Sequence, residues 1–201
     1  MAFKTKTELK DVFNGLSSLY FCKTAVDLDG ATDAGGNAIS IDWDYDLPVT
    51  VDTLQISQDD PTINHYKVIG LQGDWTSSAE AGDFTVQFTV PTKAEDVIKL
   101  AFGETAYKTI TGATMTGGDS PAGTGKKWEG ASVVVNMQKV TGTIGLLDEN
   151  KENFMIISNI ALYAKPLYEN ASTEPFAIQF SGSIETSGDA NFAWLKRVDA
   201  N

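Results

Sequence analysis

The sequence predicts a mainly β fold of the α+β class: a β-sandwich or barrel with one packed central helix and a short N-terminal helix. Three observations carry that prediction. Short runs alternate apolar and polar residues with the period of two that a half-buried strand requires. The clearest sets Phe84, Val86, Phe88 and Val90 against Thr85, Gln87 and Thr89. One stretch instead places Ala94, Val97, Ile98, Ala101 and Phe102 at helical spacing, after Pro91. Glycine is plentiful at 18 residues and proline scarce at 6, which fits many short strands joined by glycine turns.

Taken in order, Thr5 to Asn14 reads as a short helix. Thr5 and Glu8 have capping-box spacing, Leu9, Val12, Phe13 and Leu16 recur at three and four, and Gly15 ends the run. Ser18 to Leu28 reads as a strand. Asp29 to Asn37, rich in Gly and Asp, reads as a turn or exposed hairpin tip. Ile39 to Leu47 alternates strictly, so Ile41, Trp43, Tyr45 and Leu47 are expected on one face and Asp42, Asp44 and Asp46 on the other. After Pro48, extended stretches are expected at Val49 to Val51 and Thr53 to Ser57, a turn at Gln58 to Pro61, and strands at Tyr66 to Leu71 and Phe84 to Val90. Thr92 and Glu95 have capping-box spacing at the start of the central helix, and Gly103 is placed to end it. Thr111 to Gly125 lacks periodicity and reads as a long flexible loop. Strands are expected again at Trp128 to Gln138, Phe154 to Ala164 and Phe176 to Ile184, with a polar turn at Asp148 to Asn153.

The length of 201 residues suits a single domain, 1–201, and no linker or internal repeat divides it. The start of the chain lacks the apolar core of a signal peptide, and no apolar run reaches membrane-spanning length, so synthesis in the cytoplasm and no membrane partner are expected. The net charge of −12 argues against a basic clamp on nucleic-acid phosphates. That charge is concentrated: between Lys23 and Lys67 the chain has no Lys or Arg but carries Asp27, Asp29, Asp33, Asp42, Asp44, Asp46, Asp52, Asp59 and Asp60.

No catalytic set completes itself. Cys22 lies in the apolar run Leu19-Tyr20-Phe21-Cys22 and reads as a buried structural thiol. His65 is the only histidine, and one His with one Cys makes neither a hydrolytic triad nor a structural zinc site. Asp42, Asp44 and Asp46 have the alternate spacing of a calcium loop, which makes them weak metal candidates. Leu47 stands where that loop needs Gly, and Thr53 where it needs a bidentate Glu. The Gly-rich stretch ends in Lys126-Lys127-Trp128 and lacks the Lys-Ser/Thr of a phosphate cradle. Trp43, Trp75, Trp128 and Trp194 are scattered along the chain and are expected to pack in the core. No catalytic residue, metal or cofactor is therefore expected, and the chain reads as a non-enzyme.

The order of features is itself a pattern. Phe88-Thr89-Val90-Pro91 leads into a capped helix and then a glycine-rich loop. The strand Phe154 to Ala164 follows, and after a polar turn comes Glu174-Pro175-Phe176-Ala177-Ile178-Gln179-Phe180. Over roughly Ile41 to Ile184 this resembles the major tail tube proteins of long-tailed phages, a family related to the tube proteins of contractile secretion systems. The N-terminal helix departs from the pattern. The resemblance implies a sandwich with a flanking helix. It also implies assembly of the chain with itself, six copies to a ring, the rings stacked into a hollow tube in a virion tail. Other tail proteins would be partners, and DNA would pass through without specific binding. Asp42, Asp44 and Asp46 are then the candidate lumen residues. The candidate inter-ring residues are Asp29, Gly30, Asp33, Gly35 and Gly36 in one loop, and Gly117, Gly118 and Asp119 in the other. A second reading is a glycan- or protein-binding β-sandwich module, calcium-dependent in one form, that uses exposed aromatics such as Trp75 or Trp128.

Overall fold

A computed structural model of the chain describes residues 12–28, 40–70, 72–114, 127–168, 175–185 and 191–198. Among them twelve strands and one helix form, so the fold is mainly β, as the sequence predicts, and the helix is the expected central one. The chain, read above as one domain, groups into two compact units. The first takes Met1–Val49, Thr141–Ala161 and Ile184–Asn201, and the second takes Thr50–Val140 and Leu162–Ser183.

In the first unit, strands β1 (Ser18–Cys22), β2 (Tyr45–Leu47), β9 (Lys139–Leu147), β10 (Asn153–Leu167) and β12 (Phe192–Lys196) are joined in the order β2-β1-β9-β10, with β12 also paired to β10. Antiparallel register places Leu19 opposite both Leu47 and Leu146, and Phe21 opposite both Tyr45 and Ile144. Paired residues share a sheet face, so Leu19, Phe21, Leu47, Ile144 and Leu146 form one buried layer. On the opposite face, Tyr20 lies across from Gly145. A methyl group on Gly145 would come within 2.6 Å of the Trp43 ring and 2.7 Å of Phe154, so only glycine leaves room there. Tyr20, Trp43 and Phe154 fill that space as an aromatic trio with centroids 5.8–6.1 Å apart.

The segment after β1 does not continue as a strand to Leu28. It folds onto two buried hydroxyls. The backbone N–H of Val26 donates to Thr143 Oγ1 at 3.1 Å and to Ser158 Oγ at 2.9 Å, while the Thr143 hydroxyl donates to the Thr24 carbonyl at 2.8 Å. Thr143 and Ser158 are fully buried, and these bonds satisfy polar groups that would otherwise destabilise the core.

The polar turn at Asp148 to Asn153 is present, between β9 and β10, and a buried carboxylate organises it. Asp148 accepts from the Glu152 and Asn153 backbone N–H groups and from Asn153 Nδ2, at 2.8–3.2 Å. Burial alone would push the Asp148 carboxyl up, but the hydrogen bonds from Asn153, Glu152 and Lys151 outweigh it and hold the group below its ordinary value. A carboxyl depressed in the folded state stabilises the fold above its unfolded pKa, and that contribution is lost as pH falls through the folded value. Thermal melts should therefore decline between pH 5 and lower values more steeply in the parent than in Asp148→Asn, on the order of the carboxylate range. Parallel curves would show that Asp148 is not the titrating group.

In the second unit, β3 (Gln55–Gln58), β6 (Phe84–Val90) and β11 (Ala177–Ile184) pair antiparallel in the order β11-β6-β3, and the last residues of β10 adjoin β11. The alternation in β6 is realised: Val86, Phe88 and Val90 are buried. Phe88 lies opposite Phe180, and the two rings stack at 5.2 Å with 18° between their planes. Helix α1 spans Glu95–Phe102 and buries Val97, Ile98, Leu100, Ala101 and Phe102. Its start differs from the expected capping box. Ala94 is the N-cap residue, without a side-chain cap bond, and Thr92 Oγ1 accepts the Ala94 N–H instead. Gly103 does end the helix, at φ 103°, with its N–H bonded to the Lys99 carbonyl at 2.9 Å.

Two ribbons complete this unit. Strand β4 (Thr62–Tyr66) pairs only with β5 (Thr76–Glu80), and β7 (Tyr107–Ala113) only with β8 (Trp128–Val133).

Several expectations are corrected here. The strand expected at Tyr66 to Leu71 lies at Thr62–Tyr66, and Val134 to Gln138 is not strand. Thr111 to Ala113 belongs to β7, which accommodates Gly112 at φ 71° in an irregularity of the ladder, so the loop begins later than composition implied. The remainder of that loop, with Gly117, Gly118 and Asp119, lies outside the described residues. So does the first loop, with Asp29, Gly30, Asp33, Gly35 and Gly36. Of the expected N-terminal helix, residues 5–11 lie outside the description, and Val12 to Asn14 are not helical. Strands β5, β7, β9 and β12 had no counterpart in the sequence reading.

Candidate assembly surfaces

The acidic strand keeps its alternation of exposure but not its length. Asp42, Asp44 and Asp46 are all exposed, Trp43 and Tyr45 are half-buried and Leu47 is buried, yet only Tyr45–Leu47 is strand. A bend at Asp44 separates what the period of two had put together. Tyr45 sits opposite Phe21, with ring centroids 6.4 Å apart, whereas Trp43 lies on the other face over Gly145. The cause is local. Asp44 donates its N–H to the Phe21 carbonyl at 3.0 Å, and its carboxylate accepts the Lys23 N–H at 2.7 Å. Asp44 thus ties the strand to the turn after β1, which leaves Asp42 and Asp46 as the carboxylates of this segment with no such bond to the backbone among those described.

Among the described residues, chemistry-bearing side chains do not gather into a metal-binding cluster. Cys22 is buried. His65 Nδ1 meets Asp74 Oδ2 at 2.5 Å, on an exposed ribbon. Among the described residues no group of three or more His, Cys, Asp or Glu side chains stands close enough to hold a metal ion, the Asp42 to Asp46 segment included. Among them, too, no helix is long and apolar enough to cross a membrane.

What the molecule does display is apolar surface on its ribbons and edges, a feature that the sequence reading raised only for Trp75 and Trp128, under its second alternative. Three of the four tryptophans are not core residues: Trp75, Trp128 and Trp194 are 66 %, 44 % and 67 % exposed. Every residue of β4 and β5 is exposed except Asn64, and their connection carries Val68 and Ile69 outward. From the last residue of β8 onward, Val133, Val134, Val135 and Met137 are exposed as well. A two-stranded ribbon is marginal in water by itself, and an uncharged, β-branched edge invites pairing with another chain. The apolar positions were visible in the sequence; that they lie exposed on the ribbons and in the segments beside them was not.

Compared with protein-family models and with curated proteins, the chain matches none.

Proposed function

We propose that this chain is a structural subunit that assembles with copies of itself, as a phage or prophage tail tube protein does, into stacked rings around a DNA conduit. The observation that carries the reading is the pair of ribbons, β4–β5 and β7–β8, which pair with no further strand among the described residues and leave Ile63, Tyr66, Ile110 and Trp128 exposed. Subunits of an assembly expose in isolation what they bury in the whole. The helix after Val90-Pro91 and the mainly β fold are also what the resemblance to tail tube proteins leads one to expect. A conduit must not hold its cargo, and an acidic wall repels phosphates. Asp42 and Asp46, exposed beside the half-buried aromatic trio, are the residues proposed for that wall. On this reading the chain is not an enzyme, is made in the cytoplasm and resides in a virion tail.

Negative-stain electron microscopy and light scattering over a concentration series test it. Rings or tubes are expected to appear as concentration rises. A monodisperse monomer throughout, even with tail-tip components added as nuclei, would sink the proposal. A glycan-binding module would instead give a monomer whose melting temperature rises with a sugar.

A further inference from the structure

Resting on that assembly reading, we propose that the tip of the β4–β5 ribbon of one copy inserts into the groove between helix α1 and the β7–β8 ribbon of the next. The knob is Val68 and Ile69, both exposed, with Ile69 fully so. They stand in the connection between Tyr66 and Trp75. That connection is closed at its base by the Trp75 N–H to the Tyr66 carbonyl at 2.7 Å and by the His65–Asp74 contact, so the tip is presented on a fixed stem. The hole is a groove of about 500 Å³ in the second unit, whose apolar walls are Ile98, Tyr107, Val133 and Phe176. That volume lies within the roughly 300–1,000 Å³ typical of binding clefts, so a pair of branched side chains fits.

Charge decides the occupant. The knob is flanked by one cation and one anion, Lys67 and Asp74, and the groove has one of each at its rim, Lys93 and Glu129. Docking with Lys67 toward Glu129 and Asp74 toward Lys93 pairs both, and the reverse orientation opposes both, so the rim fixes the direction of insertion. Knob and hole are different surfaces of the same chain, and Val68 and Ile69 do not fill their own groove, because they are exposed. A contact of this heterologous kind leaves a free knob and a free hole on each pair. It repeats from copy to copy until a ring closes or a filament grows.

The test uses the full chain and the fact that its only native thiol, Cys22, is buried. Ile69→Cys and Val133→Cys are made separately, mixed, and treated with a short bismaleimide. The mixture should yield several-fold more covalent dimer than either variant alone, or than Val133→Cys mixed with Val51→Cys, an exposed control. Adding Lys67→Glu to the knob variant should lower the yield, and Glu129→Lys in the groove variant should restore it. Rings or tubes by microscopy without dimer above the control would overturn the knob-in-groove contact and leave the assembly reading standing. No dimer and no assembly at any concentration would overturn both. Dimer that ignores the charge exchange would overturn the proposed orientation.

Discussion

Phe180→Ala should lower the melting temperature of the chain by roughly 6–20 °C, the largest stability effect expected of a single substitution here. Phe180 and Phe88 are fully buried, stacked at 5.2 Å, and held opposite one another by the β11–β6 register. Truncating a buried Phe costs about 3–5 kcal/mol, because transfer energy is lost and the cavity closes only in part. For a chain of this size each kcal/mol corresponds to about 2–4 °C. The pair also couples. Once one ring is gone, the other has lost its stacking partner, so Phe88→Ala with Phe180→Ala should cost less than the sum of the two by roughly 0.5–1.5 kcal/mol. Circular dichroism melts of the three variants measure both quantities. A shift of no more than a couple of degrees for Phe180→Ala would mean that this sheet is not the stability core of the second unit.

The two strands that carry this pair were legible in the sequence, although their pairing was not. Strand β6 is a clean alternation between a turn and a proline, and β11 repeats the pattern with Ile178 and Phe180 on one face. Helix α1 was legible for the same reason, because its apolar stripe has a single period. Strand β9 was not. Its sequence, Lys139-Val-Thr-Gly-Thr-Ile-Gly-Leu-Leu, is interrupted by two glycines that look like turn residues. Both are glycine because of neighbours distant in sequence. A methyl on Gly142 would lie 2.1 Å from the Cys22 carbonyl oxygen, and one on Gly145 would strike Trp43. Tertiary crowding leaves no periodic trace, so β9, though mostly buried, carries no strand signal in its sequence.

The candidate site divided along similar lines. That Asp42, Asp44 and Asp46 are exposed follows from alternation alone. That the run bends at Asp44, so that Trp43 and Tyr45 part to opposite faces, follows from hydrogen bonds to Phe21 and Lys23 more than twenty residues away in the chain. The ribbons were hidden for another reason. Exposed apolar residues and buried ones spell the same letters, and Trp75, which stands exposed just before β5, was assigned to the core.

Tubes assembled from an Asp42→Lys, Asp46→Lys chain should retain duplex DNA that parent tubes release. Each substitution replaces −1 by +1, so the pair changes the chain's net charge from −12 to −8. The local change is greater, since the span between Lys23 and Lys67 holds nine Asp residues and no cation. Asp44 is left in place because its carboxylate holds the Lys23 N–H, and its loss would confuse a charge effect with a folding one. Both altered side chains are exposed, so melting temperature should stay within the small range usual for surface changes, about 0.5 kcal/mol in stability. If this strand faces the channel, every copy in a ring contributes two new cations to the same wall. Retention should then be strong at low salt and fall steeply as salt rises, because binding to phosphates releases counterions: six to ten contacts lose about 10³–10⁵ in affinity between 50 and 200 mM. Sedimentation of labelled DNA with tubes across a salt series reads this directly. Equal, salt-independent passage through parent and variant tubes would put the acidic strand on the outside of the assembly, where its charge serves solubility and the channel wall must be sought on another face.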